Sequence, residues 1–464
     1  MADPRNQARG TAGPAAALLL AASGCQPLEI NVGIDILLPA DESPLSRTNN
    51  VSLVIEPLGN SQTITADGLD FTLSVTLPPQ GDPQQLSLFL AENETLLAWG
   101  RTPDIALSGA SSGAALLVAQ PDAMSLFAAE FDAPDPDATA AAVGDVGMLV
   151  LAADGTTLFM DVFAWELRAA APMPVDAVRS PSDGALVADA DGGVQRITVV
   201  EQLTVTRYSP VDNEWKTRAV DDESQARFGA RPGAALLPTA GGNSVWVIGG
   251  GEHTDVVGIP LVEADEAPVD PVGVPSLDAP RPGATAALVT RGEGELSSAV
   301  LFGAADDRPV VWAIDLGVGF GPVGPWIGAA CTPLDPPDPD ATLRLLCLGG
   351  TRHDEATGDA VVISLPPPGD PAPPTATELT DLLQGPMAAP LALRGADAVY
   401  AQGDVRALDI ALTDLTATPA KTQPERARGG HATTLPLGYT FIVGGVTADD
   451  TPLSRWSMFI PGPG

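Results

Sequence analysis

Soft metal ligands and phenols are scarce in this 464-residue chain, which has three histidines, three cysteines and three tyrosines. His253, His353 and His431 lie far apart, and the first two each follow shortly after a Gly-Gly pair. Cys25 stands alone near the N-terminus, while Cys331 and Cys347 lie close together. A metal at that pair would find only His353 as a further soft ligand nearby, so no metal site is expected there. The clusters Asp132/Asp135/Asp137, Asp189/Asp191 and Asp335/Asp338/Asp340 offer the oxygen donors that calcium takes. The first and third are interrupted by proline and lack a downstream bidentate glutamate, and residues 189–193 are too short a match, so all three read as solvated turns. No nucleophile elbow, phosphate-binding loop, zinc-binding helix or dinucleotide fingerprint occurs. No catalytic or metal residue is assigned, and no cofactor is expected.

The elements that would position any site must be short. Gly 48 and Pro 46 together make about a fifth of the chain and are spread along it, which suits many strands joined by turns and leaves little room for long helices. Apolar residues at 45% suffice for real cores. The length suggests two or three domains. A net charge of −36 repels phosphate backbones, so nucleic acid is excluded as a partner.

At the start, Arg5 and Arg9 precede a small apolar run over residues 15–22 that ends in Ser23, Gly24 and Cys25. The run is too short to span a bilayer and fits the core of a secretory signal. It resembles the lipobox of bacterial lipoproteins. That resemblance implies a signal peptide over 1–24, lipidation of Cys25, attachment to a membrane through the N-terminal lipid and, with Gln26 next in the chain, placement at the outer membrane or cell surface. An ordinary cleaved signal with an incidental cysteine, and a cytosolic protein with an alanine-rich start, are the alternatives.

From 28 to 120 short runs alternate with period two: 31–38, 51–55, 63–65, 70–77, 86–90, 96–99 and 114–118. Seven strands at turn-punctuated spacing predict a β-sandwich, and their rhythm resembles an immunoglobulin-like domain. Its expected role is a rigid spacer packed on the C-terminal part of the chain, a ligand-binding sandwich being the alternative.

Residues 123–464 repeat weakly. Arg231, Gly233 and an apolar strand lead to Gly249 and Gly250; Arg281 and Gly283 lead to a strand ending at Gly303; Arg428, Gly430 and His431 lead to Gly444 and Gly445; a degenerate copy runs from Gly328 to Gly349 and Gly350. The pattern resembles the kelch repeat, with a period of roughly 45 to 55 residues. It implies an all-β chain in which an Ig-like sandwich precedes a kelch-like β-propeller of about seven blades, six being the alternative. Units would begin near Pro136, Ala177, Gln225, Leu277, Trp326, Leu382 and Glu425, and residues 130–132 would supply a strand to the last one, closing the ring. A large sandwich or β-helix is the competing fold.

On this reading Cys331 and Cys347 occupy adjacent strands around an exposed hairpin loop, and in exported space they would form a disulfide; two buried thiols are the alternative. Enzymes of the galactose-oxidase type resemble this fold and need a copper site of tyrosines and histidines. Tyr208, Tyr400 and Tyr439 fall in separate units, so that chemistry is not expected. The function implied is binding: an anchored propeller presenting its loops to an unidentified protein or glycan. The alternatives are a polysaccharide-acting hydrolase or lyase on the same scaffold, and a structural envelope component.

Overall fold

The computed structural model describes residues 30–40, 43–68, 74–77, 83–105, 114–127, 135–174, 184–239, 242–261, 274–292, 298–403, 406–422, 430–447 and 449–463. The leader with Cys25, the expected closing strand at 130–132, Asp132 and Arg428 lie outside these residues. Among the described residues the fold is all-β, with one α-helix, Asp222–Phe228, capped where the Asp221 side chain accepts from Ser224 N. None of the described helices is long and apolar enough to cross a membrane.

The first part is two packed sheets. One orders its strands Asn60–Thr65, Asn50–Glu56, Gln85–Glu92 and Thr95–Arg101, all antiparallel. The other places Ile30–Leu37 between Ser74–Leu77 and Ala114–Leu117, antiparallel to the former over 30–33 and parallel to the latter over 34–37. Val51, Leu53 and Ile55 alternate inward with Leu86, Leu88 and Leu90, and meet Leu116 and Val118 from the facing sheet. The period-two pattern of the sequence is this shared interior.

Among the described residues the second part has seven main antiparallel sheets in chain order, spanning 139–169, 184–218, 235–260, 285–323, 330–379, 391–419 and 431–460, and a small three-stranded sheet of Trp326–Ile327, Thr351–Arg352 and Glu355–Ala356. In each sheet the strands neighbour one another in the order the chain makes them, apart from one borrowed strand. The seventh sheet joins His431–Thr434, Thr440–Val443 and Ser457–Ile460 to Ala123–Leu126, which lies more than 300 residues earlier, just after the first part, with Met124 opposite Phe459.

Successive residues of the middle strands serve different interfaces. In Gly147–Leu151 all five residues are buried; Met148 and Val150 belong to the core shared with the seventh sheet, Leu149 and Leu151 to the core shared with the second. A strand covered on both faces reads as a continuous apolar run. The same alternation carries each sheet onto the next. Phe159 shares a cluster with Tyr208, Ile197 with Val245, Ile248 with Leu301, and Phe302 with Leu345. Leu346 then shares one with Val399, Tyr400 with Phe459, and Phe441 with Met148. This circuit of seven interfaces returns to its start.

The two parts share one core. Trp99, Leu117 and Ala119 of the first lie in the cluster that contains Phe127, Trp165, Tyr439 and Phe441. Trp99 Nε1 donates to Pro461 O at 2.9 Å, Arg101 Nε donates to Leu437 O at 2.9 Å, and Arg101 N donates to the Tyr439 hydroxyl. Burial in this seam pushes the Tyr439 phenol well above its usual pKa, so it stays a neutral hydrogen-bonding group.

Candidate functional site

The repeated arginines are internal struts. Arg231 is fully buried; its fork meets Asp255 at 2.9 and 2.7 Å, and Nε donates to Phe228 O at 2.9 Å. Burial alone would raise the Asp255 carboxyl, but the Arg231 fork overrides it and holds the group below the usual carboxylate range. Arg281 repeats the arrangement with Asp278, with Gly303 O at 3.0 Å and Pro309 O at 2.9 Å, and lies over the Trp312 ring. Just before the fifth sheet Trp326 stands at this place, two residues before Gly328, in the small sheet it forms with Thr351–Arg352, and its Nε1 donates to Gly349 O at 2.7 Å. The cation comes instead from Arg352, stacked 4.9 Å over Trp326 and paired with Asp359 and Glu378. These arginines face fold partners, not an open surface.

The glycines set how closely neighbouring sheets approach. Gly249 and Gly250, Gly349 and Gly350, and Gly444 and Gly445 repeat nearly the same φ values: +60 and +89°, +62 and +89°, +66 and +87°. At the first of each pair the next sheet is close: a Cβ on Gly349 would stand 2.7 Å from Met387 O, and one on Gly444 2.7 Å from Pro136 O. Gly233, Gly283 and Gly328 share φ values of +69, +75 and +69° at the entry to their sheets, and Gly283 N donates to Gly233 O at 3.0 Å. Gly430 and His431 open the seventh sheet.

The structure does not gather the histidines. His431 Nδ1 accepts from Ala140 N at 3.3 Å, tying the seventh sheet to the first, and burial holds its imidazole below the usual pKa in the neutral form this bond needs. His253 and His353 occupy equivalent places. A Cβ on Gly229 would stand 3.1 Å from His253 Nε2, and one on Gly324 2.9 Å from His353 Cε1; each glycine precedes Arg231 or Trp326 by two residues. The acidic clusters are spent on turns. Asp189 accepts from Gly193 N, Asp191 N and Arg207, Asp335 pairs with Arg344, Asp338 caps Asp340 N, and Asp135 accepts from Asp137 N and Ala153 N. Among the described residues no group of three His, Cys, Asp or Glu is placed to hold a metal ion. Tyr208, Tyr400 and Tyr439 lie in three different interfaces.

Cys331 and Cys347 form a disulfide directly across the strand pair of the fifth sheet, Cα to Cα 4.1 Å. Such a bond forms and persists in oxidising surroundings. It closes a loop whose ends are 16 residues apart. Replacing both cysteines with serine is expected to lower unfolding stability by about 3 kcal/mol. Urea denaturation of the variant, beside the native chain with and without reductant, checks this. A variant as stable as the oxidised native chain would show that the bond contributes nothing.

Among the described residues, two cavities are large enough to take a small molecule. One, about 470 Å³, lies between the first and seventh sheets and is lined by Asp135, Asp154, Leu453 and Trp456. The other, about 500 Å³, lies where the third, fourth and fifth sheets meet, with Trp246, Val300, Asp315, Leu316 and three successive prolines on its walls. Burial raises the Asp315 carboxyl above its usual value, and its one described bond is from Ala299 N. Sequence reasoning missed this cavity, because its walls are far apart in the chain and Asp315 sits in an ordinary hairpin turn. The chain matches no known protein family, and no curated protein matches it.

Proposed function

We propose that this chain is an exported, lipid-anchored binding protein, in which an Ig-like sandwich acts as spacer for a seven-bladed, kelch-like β-propeller that presents a loop-built face to a protein or glycan. The observation that carries the reading is the circuit of seven clusters, each joining one meander to the next and the last to the first through the borrowed strand Ala123–Leu126. Stacked four-stranded meanders around an axis are the propeller plan, and a strand shared between the chain's ends protects the last sheet edge. The recurring arginine, glycine and Gly-Gly geometry supports the kelch-like assignment. The two packed sheets of short strands support the sandwich. Docking through Trp99 and Arg101 supports the spacer role, because it holds the two parts in one orientation.

The disulfide supports export, and the leader sequence supports the anchor. A rigid scaffold with loops at both ends of its sheets supports a binding role.

The test is expression with the native leader in a bacterial host, beside Cys25→Ala. A diacylglycerol-sized mass increment on a chain beginning at Cys25, with membrane partitioning lost in the variant, is the expected result. The anchored protein is then titrated with purified envelope polysaccharide. Saturable binding without new chain ends supports the binding role, and release of new ends would replace it with the hydrolase or lyase reading. A soluble, unmodified chain that keeps its first residues would overturn the anchor and the surface placement together.

A further inference from the structure

The cavity of about 500 Å³ lies at the opposite ends of the sheets from the Gly-Gly turns. Strand Ser298–Phe302 begins at it and runs away toward Gly303, while Pro309–Ala313 and Ala360–Leu365 run into it. Its volume falls in the range of small-molecule sites.

One wall is preformed. The buried Arg291 reaches across from the fourth sheet to the fifth, where Nη2 donates to Leu365 O at 3.0 Å and Pro366 O at 2.7 Å and Nη1 donates to Ala341 O at 2.9 Å. These bonds pin the start of the run Pro366, Pro367 and Pro368, whose rings restrict the backbone further. Asp370 completes the turn, its carboxylate accepting from Ala372 N at 2.8 Å. Trp246 of the third sheet and the exposed Leu316 of the fourth also line the cavity.

The charged side chains that line this cavity have one sign, the Arg291 guanidinium being held behind the proline run by carbonyl oxygens. Asp315 and Asp370 contribute carboxylates, and no cationic side chain lines it among the described residues. Asp315 has no ion-pair partner among the described residues, unlike Asp189, Asp255, Asp335 and Asp359, which each hold an arginine. It is open to water yet walled by protein, as a group inside a concave site is. The Trp246 indole also lines the cavity, and indole faces attract cations.

We propose that this cleft is a binding site for an organic cation, a primary ammonium on a compact apolar body, with the ammonium against Asp315 and the hydrocarbon against Trp246, Leu316 and the proline run. The strongly acidic chain would concentrate such a ligand at its surface. The site depends on neither the anchor nor the ligand of the loop face.

The test is calorimetric titration of the full chain with 3-phenylpropylammonium, with 3-phenylpropanol and 3-phenylpropionate as neutral and anionic counterparts. Saturable one-to-one binding of the ammonium, about tenfold or more tighter than the alcohol, is expected. Asp315→Asn keeps an acceptor for Ala299 N and should weaken the ammonium about tenfold, leaving the alcohol unchanged. Leu316→Arg, which places a tethered cation at the rim, should remove ammonium binding, while the distant, exposed Glu94→Gln should not alter it. Ammonium affinity unchanged in Asp315→Asn, equal affinity for ammonium and alcohol, or no saturable binding up to about 10 mM would each overturn the proposal.

Discussion

Met124→Asp is expected to destabilise the second part of the chain by at least about 4 kcal/mol, more than loss of the disulfide. Met124 is 1% exposed and sits opposite Phe459 in the borrowed strand. Its side chain belongs to the cluster of Tyr400, Ala407, Ile442 and Phe459 that joins the sixth sheet to the seventh. A carboxylate there would be charged and buried without a partner, or would expel the strand and expose the edge of Ser457–Ile460. Ser125→Asp is the control: it lies in the same strand but is half-exposed, and should cost about 1 kcal/mol. Urea unfolding followed by near-ultraviolet circular dichroism measures both. Equal stability of the two variants would mean that Ala123–Leu126 does not hold the seventh sheet.

Gly350→Ala is expected to cost about 4 kcal/mol, from backbone strain and overpacking together. Gly350 has φ +89°, and a Cβ there would stand 2.5 Å from Ile327 O and 2.7 Å from Ala329 N, both backbone atoms that cannot swing aside. Gly369 separates the two causes. Its φ is +86°, but nothing lies within 4 Å of the Cβ position, so Gly369→Ala should carry the strain alone, about 1 kcal/mol. The same urea experiment decides. If the two alanines cost the same, close approach contributes nothing at the Gly-Gly turn, and its recurrence reflects turn conformation only.

Several features were legible because they are local. Val51, Leu53 and Ile55 alternate in sequence and in burial, since a strand turns every second side chain inward. Cys331 and Cys347 flank a hairpin, and an antiparallel pair brings such positions opposite each other. The Gly-Gly pairs stood out as residues and recur as a backbone conformation, because two successive positive φ values, the second near +90°, strongly favour glycine.

Other features depend on partners that no local pattern names. The strand beside Ser457–Ile460 is Ala123–Leu126, where the sequence suggests 130–132; register with a strand more than 300 residues away selects it. Trp326 takes the arginine's place because an indole N–H can reach the same glycine carbonyl, an equivalence of geometry between residues of different type. The histidines at His253 and His353 are matched in position yet remain apart, each against its own glycine.

The sequence by itself determined that this chain is built of short strands, that its surface is strongly acidic, that two cysteines could pair, and where glycine is required. Composition, period-two alternation and turn chemistry act over a few residues and can be read along the chain. Only the tertiary structure decided which strand completes the seventh sheet, that the arginines and acidic clusters are committed to the fold, and that Asp315 meets Trp246 and three prolines in one cavity. Those outcomes depend on which distant surfaces pack together, and packing is a property of the whole set of sheets at once.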